Sequence, residues 1–456
     1  RKKLNVRTKE LNDARNENFP EYKLENKKHD KEYNARPEVI QRRKEYNKNN
    51  ILSMNIGITI SLGSENESLW INGIKLNAMY LLKALKEIGY NVYLLNESEV
   101  KAPYENKVTW DINKFPIYDY YDKLKDTDLL IFLGATYNDS NISEFKATGH
   151  GKKVIKYVCG SNYMNDLEGA MFNSGPNATG YNQSIDEVWY VPQQGEQNIE
   201  YFRVMHGLSA SKVRPVPFIW DPVFLDEACE VYNNPKAIIE NRPIPVYVPG
   251  KENKEKQIAC FEPNIGTQKW HFINLLIAED YHNSGGEFKK LNIMCGDSLL
   301  KNKYYQSLLT HLSLFKLSGT ENNKLTYLPR LRAIDAMAQL TDIVIAHQIG
   351  NPLNYSYLDA LYLQFPLVHN AHMIQDAGYY YQGNLIGQGA RQLKQAIEKH
   401  DDNIKSYNEN SERVLTRYTV FNEGLLETYK QLIETTMCIK SHDIGHQYDW
   451  TTNLYK

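Results

Sequence analysis

The residues that could do chemistry are concentrated in one stretch of the chain, Ile343–Asn370. An apolar run at Ile343–Ala346 is followed by polar residues from His347 to Asn354, and Pro352 can begin a helix because its backbone is preorganised for the first turn. The start of a helix presents free N–H groups and the positive end of the helix dipole, which suit a phosphate or a carboxylate. The stretch therefore predicts an anion site at the end of a strand.

Two charged side chains are candidates for binding a ligand. Asp359 lies in an otherwise apolar part of the predicted helix, where a carboxylate is costly unless it is paired or bonded to a ligand; an exposed helix face is the alternative. Lys269 follows a strand and a Gly-containing loop, so its ammonium could hold a phosphate, although a surface lysine at a helix start has the same pattern. His347, at the end of a strand, is either substrate-facing or structural.

The start of the first predicted helix is a further place for a ligand. Asn72 and Gly73 follow a loop rich in Gly, Ser and Asn. Glycine lets a ligand approach the backbone closely, but a tight turn without a ligand uses it equally well. The three consecutive tyrosines at Tyr379–Tyr381 cannot all face one way, so we expect at least one ring to serve as a platform for a sugar or a base.

These residues must be positioned by strands and helices, and the apolar pattern predicts a parallel sheet twice. The first set begins with a strand at 54–60 and a helix at 73–89, and the second set begins with a strand at 257–261. Between them, Pro-rich residues near 213–250 indicate an interdomain connection. Alternating strands and helices favour an α/β fold of two Rossmann-like domains with a cleft between them. The other predicted strands are 91–95, 128–133, 153–158, 187–191, 291–294, 325–327, 343–346 and 366–368.

The charges are distributed unevenly along the chain. Residues 1–50 contain 15 Lys and Arg against 9 Asp and Glu, whereas the remainder contains 38 against 46. A basic segment can neutralise the phosphates of nucleic acid or of another polyanion. A solvated, partly helical tail is the plainer interpretation of the same residues.

Several classes of site are not indicated by the sequence. The five cysteines have no metal-ligand spacing and predict free thiols in a reducing compartment. HExxH, P-loop and GxSxG motifs are missing, so we expect neither a metal nor a cofactor. Because no apolar run approaches the length of a membrane-spanning helix, we expect no membrane span, no signal peptide and a cytoplasmic location.

Two Rossmann-like halves, a Pro-rich hinge and a closing C-terminal helix resemble the GT-B glycosyltransferase fold. In retaining GT-B enzymes of the sucrose-synthase-like group, a Gly-Arg pair lies five residues before a Lys; here Pro263-Asn264 precedes Lys269 at that spacing. The same enzymes carry a Glu-x7-Glu motif whose second Glu lies seven residues before a Pro-Val-Val strand. Asn351 and Asp359 occupy the two Glu positions ahead of Pro366.

A closer resemblance is to a little-characterised bacterial and phage family assigned to the GT-B glycosyltransferases. It extends over most of residues 54–435 and rests on HQIGNPLNYSYLDALYLQFPLVHN, EPNIGTQKW and KKVIKYVCGSNYMNDLE. The resemblance implies that Lys269 holds the donor diphosphate, that Asp359 bonds the ribose hydroxyls and that Asn351 faces the sugar. The implied donor-binding set is Lys269, Asn264, Asn351, Asn354, Tyr355 and Asp359. The implied acceptor or cleft set is Asn72, Gly73, Gly160, Asn162 and Glu168.

The resemblance also implies an organisation into domains. We expect a basic arm, an acceptor domain, a linker, a nucleotide-sugar domain, and a helical tail that packs back on the acceptor domain. Their respective bounds are 1–50, 51–225, 226–255, 256–415 and 416–456.

The predicted function is the transfer of a sugar from a nucleotide-sugar, as the co-substrate, to an acceptor, without a metal. His347 and Asn351 are the candidates for catalysis. The acceptor is a glycan or a modified DNA base, the latter suggested by the basic arm. The alternatives are a nucleotide- or glycan-binding protein without catalysis and a nucleotide-sugar epimerase. The donor, the stereochemical outcome and the oligomeric state are left open.

Overall fold

The computed structural model describes residues 54–64, 73–100, 116–135, 138–172, 180–232, 245–445 and 447–455. Apart from Met54 and residues 89–91, these described residues form one compact unit. The unit contains two parallel sheets whose strands are joined by helices. The basic arm predicted at 1–50 lies outside the described residues.

The first sheet has seven strands in the order β3-β2-β1-β4-β5-β6-β7. The chain first builds outward on one side of β1 and then on the other, so the order reverses between β1 and β4. The strands are β1 (Asn55–Ile60), β2 (Asn91–Asn96), β3 (Ile117–Asp119), β4 (Leu129–Phe132), β5 (Lys153–Val158), β6 (Glu187–Tyr190) and β7 (Val213–Pro215). The helices of this half are α1 (Gly73–Ile88), α2 (Tyr120–Lys123), α3 (Asp139–Ala147), α4 (Asn162–Phe172), α5 (Gly195–Met205) and α6 (Val223–Tyr232).

The second sheet has six strands in the order β10-β9-β8-β11-β12-β13, and the five neighbouring pairs are all parallel. Its order reverses between β8 and β11. The strands are β8 (Gln257–Cys260), β9 (Lys290–Ile293), β10 (Leu325–Tyr327), β11 (Ile343–Ala346), β12 (Leu367–His369) and β13 (Tyr379–Tyr380). The helices are α7 (Phe272–Asn283), α8 (Lys303–Leu309), α9 (Ser313–Lys316), α10 (Ala333–Leu340), α11 (Tyr355–Tyr362) and α12 (Ile386–Glu398).

Each sheet is covered by its own apolar core. Phe132, Val154 and Val188 are among the fully buried residues around the first sheet. Ile258 and Ile345 are fully buried around the second sheet, where α7 and α12 pack against each other. Strands that are buried on both faces carry continuous apolar residues, which is why the sequence pattern located most of them.

The chain ends with two long helices, α13 (His400–Leu415) and α14 (Glu423–Thr436), and a hairpin of β14 (Tyr448–Asp449) and β15 (Leu454–Tyr455). α14 packs on α1 of the first half. The fully buried Glu187 of β6 accepts hydrogen bonds from Thr436 Oγ1 at 2.9 Å and from Lys212 Nζ at 2.9 Å. A carboxylate with these donors satisfies its hydrogen-bonding needs and joins the end of α14 to the first sheet.

The predicted fold class, two Rossmann-like α/β halves, is confirmed by the two sheets. One region differs: residues 213–250 were predicted to be a connection, yet β7 and α6 lie within 213–232. Pro215 is tolerated because β7 is the edge strand of its sheet, where a missing N–H leaves no neighbouring strand unpaired. The domain bounds 51–225, 226–255, 256–415 and 416–456 stay a prediction.

Candidate functional site

A cavity of about 940 Å³ lies where the carboxyl ends of strands from both sheets meet. Its first wall consists of the lining residues between Gly73 and Leu225, and its second wall of those between Phe261 and Asp359. In open α/β sheets, ligands bind outside the carboxyl ends of the strands, near the point where the strand order reverses. The cavity therefore has the position expected of a binding site in both halves.

The cavity brings together most of the residues that the sequence singled out. They come from α1, from α4 and the loop before it, from the loop after β8, and from α11 and the loop before it. The predicted residues that line it are Gly73, Gly160, Asn162, Glu168, Lys269, Asn351, Asn354, Tyr355 and Asp359. Asn264 and His347 do not line it, and Asn72 lies outside the described residues. The individual roles given to these residues stay predictions.

Lys269 lies on the second wall at the end of the loop that follows β8. Its burial lowers the pKa of the ammonium, while the nearby carboxyl of Glu262 raises it. Among the residues that the structure describes, no carboxylate lies within 4.0 Å of the ammonium. A partly buried cation without a direct ion pair is well placed to attract an anionic group of a ligand.

Glu262 lies beneath the second wall and is almost fully buried. Its carboxylate accepts hydrogen bonds from the backbone N–H of His347 at 3.1 Å and from Gln348 Nε2 at 3.0 Å. Burial nevertheless raises the pKa of Glu262 to about 7, against the lowering effect of these bonds and of Lys269. The carboxyl thus joins the loops after β8 and β11. The signal for Glu262 in the sequence was its place directly after the predicted strand 257–261.

Asp359, the fifth residue of α11, lines the cavity, and Trp220 Nε1 donates a hydrogen bond to its Oδ1 at 2.9 Å. Burial raises the pKa of the Asp359 carboxyl to about 7, while the indole bond lowers it. The two tyrosines Tyr80 and Tyr355 pack edge to face beside it, with ring centroids 5.2 Å apart. The carboxyl is therefore positioned by an indole at the edge of an aromatic cluster.

Asn351 belongs to a chain of amides that crosses the cavity. Gln194 Nε2, from the first wall, donates to Asn351 Oδ1 at 2.8 Å, and Asn351 Nδ2 donates to Gln348 Oε1. Gln348 in turn donates to Glu262, as described above. Asn354 caps α11 by accepting a hydrogen bond from the N–H of Ser356 at 3.1 Å. The Asn351 amide is thus held by protein groups on both sides.

The two predicted residues outside the cavity have structural partners instead. Asn264 has a φ of +55°, and its amide donates to the carbonyl of Glu262 at 2.9 Å and accepts from the N–H of His271 at 3.0 Å. His347 is buried, its Nδ1 lies 2.9 Å from the hydroxyl of Tyr381, and burial lowers its pKa to about 4. Spacing along the sequence could not reveal that both side chains are engaged in this way.

The residues predicted on the acceptor side belong to the first wall. Gly160 follows β5, Asn162 begins α4, and Glu168 lies in the second turn of α4. Glu168 Oε1 reaches the second wall, where it accepts a hydrogen bond from the N–H of Thr267 at 2.6 Å and another from its hydroxyl. The two walls are therefore bridged at the rim by Glu168 and inside by Gln194.

The second wall contains two arginines that were not among the predicted site residues. Arg330 and Arg332 line the cavity in the loop between β10 and α10 and are exposed to solvent. Arg332 also forms an ion pair with Asp335. A basic residue just after a predicted strand was the available signal, but β10 has only three residues and no motif marked its loop.

None of the tyrosines Tyr379–Tyr381 lines this cavity, so the expectation that one of the rings is a platform for a sugar or a base stays a prediction. Tyr381 is fully buried, and Tyr379 stacks on Tyr407 with ring centroids 5.7 Å apart.

Within the described ranges, no group of three or more His, Cys, Asp or Glu residues could hold a metal ion. The helices of the described part are also not long and apolar enough to cross a membrane.

A family model described as "Protein of unknown function (DUF2827)" matches residues 56–433. The chain belongs to this family. The matched span includes both walls of the cavity and the strands that end at them. No curated protein has a sequence that matches the chain.

Solved structures resemble the DUF2827 protein at low sequence identity. The N-terminal domain of trehalose-6-phosphate phosphatase from Candida albicans is 10% identical with a TM-score of 0.50, over 84% of this chain and 97% of that one. WaaG, a glycosyltransferase involved in lipopolysaccharide biosynthesis, is 12% identical with a TM-score of 0.45, over 82% and 99%. An α-glucosyltransferase solved with UDP-glucose and DNA containing an abasic site is 11% identical with a TM-score of 0.48, over 84% and 99%. The first likeness shows the fold, and two Rossmann-like sheets that face one cleft form the GT-B arrangement.

Proposed function

We propose that this DUF2827 protein is a glycosyltransferase that takes a sugar from a nucleoside-diphosphate sugar and transfers it to an acceptor hydroxyl. The observation that supports this most directly is the partly buried ammonium of Lys269, without a direct ion pair among the described residues, at the carboxyl edge of the second sheet. Arg330 and Arg332 add positive charge to the same wall. A diphosphate is an anion of suitable charge and size for such a wall.

The proposed role of the second wall is to stabilise the leaving group. As the bond between the sugar and the diphosphate breaks, negative charge develops on the phosphate oxygen. Lys269 would offset that charge, and a cation that is already in position needs little reorganisation during the reaction. Asp359 would accept hydrogen bonds from the ribose hydroxyls, as its match to the second Glu of the Glu-x7-Glu motif implies.

The proton of the acceptor hydroxyl must also be removed. Among the described residues, the acids that line the cavity are Glu168 and Asp359, and both already accept hydrogen bonds, from Thr267 and Trp220. This supports a retaining reaction in which an oxygen of the leaving phosphate takes the proton. In that case His347 and Asn351 position groups rather than exchange protons, because His347 does not line the cavity and Asn351 is an amide.

A second candidate is nucleotide binding without catalysis, and one observation favours it. Asn351, at the position of the first motif Glu, is held by Gln194 and Gln348 instead of being open to a sugar. The acceptor also has two candidates, since the excess of basic residues in 1–50 would suit DNA with a modified base, whereas a glycan needs no such arm.

The test is to incubate the full chain with UDP-, GDP- and ADP-sugars and to measure released nucleotide, with and without acceptors. We expect release with one nucleotide class and its loss in Lys269→Ala. Conversion of the nucleotide-sugar into an epimeric nucleotide-sugar without an acceptor would indicate an epimerase. Binding of a nucleotide without any turnover would support the non-catalytic candidate. No turnover with any donor, together with unchanged nucleotide binding in Lys269→Ala and Asp359→Ala, would contradict the proposed function.

A further inference from the structure

The first wall contains amide side chains that have no catalytic role in the proposal above. Gln193 and Gln194 lie in the turn Pro192–Gln194 just after β6, and Asn162 begins α4 just after β5. All three line the cavity, and their exposed fractions are 8%, 4% and 7%. They are therefore more than nine-tenths buried although they line the cavity.

Each of these side chains has a polar atom that lacks a hydrogen-bond partner. In the described part of the chain, Asn162 Nδ2, Gln193 Oε1 and Gln194 Oε1 are buried without a partner, and so is the hydroxyl of Tyr355 on the opposite wall. A buried polar atom left unpaired costs about 1–3 kcal/mol, so native proteins rarely keep several of them together without a ligand or water. The group points to a ligand that brings hydrogen bonds of its own.

These buried atoms without a hydrogen-bond partner, called orphan atoms below, indicate the chemistry of that ligand. The set contains an N–H donor, two carbonyl acceptors and a hydroxyl that can do either. A sugar hydroxyl both donates and accepts, so neighbouring hydroxyls can satisfy all of these groups. A phosphate or carboxylate only accepts, and it would leave the two glutamine oxygens unpaired and face them with a like partial charge.

The charged residues of the first wall do not change this conclusion. Lys156 Nζ donates to the carbonyl of Gly180 and lies 5.6 Å from the ring centroid of Tyr181. Glu168 is bonded to Thr267, as described above. Both charges are thus engaged by the protein itself, whereas the second wall presents the ammonium of Lys269 to the cavity.

We infer that Gln193, Gln194 and Asn162 form a subsite for an uncharged, hydroxyl-rich acceptor, that is, a neutral sugar unit. This inference rests on the proposed function only in calling the ligand an acceptor. Gln194 has two contacts to consider, because its Nε2 donates a hydrogen bond to Asn351 while its Oε1 has no partner among the described residues. Gln193 makes no such contact and is the cleaner residue to test.

The test measures binding rather than turnover. The full chain is titrated with methyl glucoside, N-acetylglucosamine and maltose as neutral probes, with glucose 6-phosphate and glucuronate as anionic probes, and with a 12-base-pair DNA duplex. Binding is followed by ligand-observed NMR in the presence of the nucleoside diphosphate that binds best. The variants are Gln193→Leu and, as a matched control, Gln197→Leu, since Gln197 is exposed and does not line the cavity. Asn162→Ala replaces Gln193→Leu if the latter does not fold, as judged by circular dichroism.

We expect at least one neutral probe to bind, with a Kd that rises about fivefold to tenfold in Gln193→Leu and does not change in Gln197→Leu. The inference is overturned if no neutral probe binds, if its Kd is the same in Gln193→Leu, or if the anionic probes or the duplex bind more tightly. Nucleotide binding is measured in the same samples. If no nucleotide binds but a neutral sugar binds in a way that depends on Gln193, the proposed function fails and the subsite stands. If nucleotides bind but no neutral sugar does, only the subsite is contradicted.

Discussion

The two walls of the cavity use different chemistry although both are built from loops at the carboxyl ends of parallel strands. The second wall carries Lys269, Arg330 and Arg332, and the first wall carries the buried amides of Asn162, Gln193 and Gln194. Cations attract a charged ligand over some distance, whereas orphan amides select a ligand by its donors and acceptors. In the proposed reaction, one wall holds the charged leaving group and the other holds the uncharged acceptor.

The contact points between the walls sharpen this contrast. Gln194 donates to Asn351 inside the cavity, and Glu168 accepts from Thr267 at its rim. Burial raises the pKa of the Cys159 thiol on the first wall to about 12, and the ammonium of Lys269 across the cavity lowers it. The walls are close enough for a ligand on one to influence the other, which group transfer between two bound substrates requires.

The largest effect should follow from removing the cation of the second wall. In Lys269→Met the volume is nearly kept but the ammonium is lost, so we expect the affinity for a nucleoside diphosphate to fall about 100-fold, because charge-assisted hydrogen bonds contribute about 1.5–3 kcal/mol each. Isothermal titration calorimetry measures the change. Lys289→Met is the control, since Lys289 is exposed and lies outside the cavity. An equal loss of affinity in both variants would mean that the second wall has no special role.

The next effect concerns the acid beneath the second wall. The pKa of Glu262 is about 7 in the folded chain, above its ordinary 4.5, so the folded state keeps a proton that the unfolded state loses as the pH rises between these values. Stability must therefore fall over this interval. We expect the free energy of unfolding to drop on the order of 1–3 kcal/mol more between pH 5 and pH 8 in the wild type than in Glu262→Gln.

Urea unfolding at the two pH values measures this difference. Asp359, whose pKa is also raised to about 7, contributes with the same sign in both proteins and cancels. If Glu262→Gln loses as much stability between pH 5 and pH 8 as the wild type does, the pKa of Glu262 is not raised in the folded chain. The protonation state of Glu262 then has no effect on the stability of the second wall.

The smallest effect should come from the exposed edge of the second wall. Solvent screens Arg330, so Arg330→Gln should weaken nucleoside diphosphate binding only about threefold to tenfold, and the difference should shrink at 0.5 M salt. Fluorescence or calorimetric titration at two salt concentrations checks it. A loss of affinity as large as that of Lys269→Met would indicate that the anion site is centred on Arg330 rather than on the loop after β8.

Much of the fold could be predicted from the sequence because its strands are continuous apolar runs. β5 was predicted at 153–158 and α1 was predicted to begin at Gly73, and the structure has both. β7 was missed because three residues that include a proline carry too little pattern. The apolar pattern of a sequence reflects which residues are buried. Short edge strands have few buried residues, so their pattern is weak.

The candidate site could be predicted only in part. Lys269 and Asp359 were selected because they are spaced as in a known motif, and both line the cavity, while their roles stay predictions. Spacing does not show where a side chain finds its partners, so it could not reveal that the amide of Asn264 bonds to Glu262 and His271. Gln193 was overlooked for the opposite reason, since nothing in the sequence marks a glutamine whose carbonyl is buried without a partner.

A crystal structure of the full chain soaked with a nucleoside diphosphate tests the contrast between the walls most directly. We expect the phosphate groups to lie on the second wall within hydrogen-bonding distance of Lys269 Nζ, and no phosphate to contact Gln193 or Gln194. Phosphates bound among the amides of the first wall, or outside the cavity altogether, would contradict it.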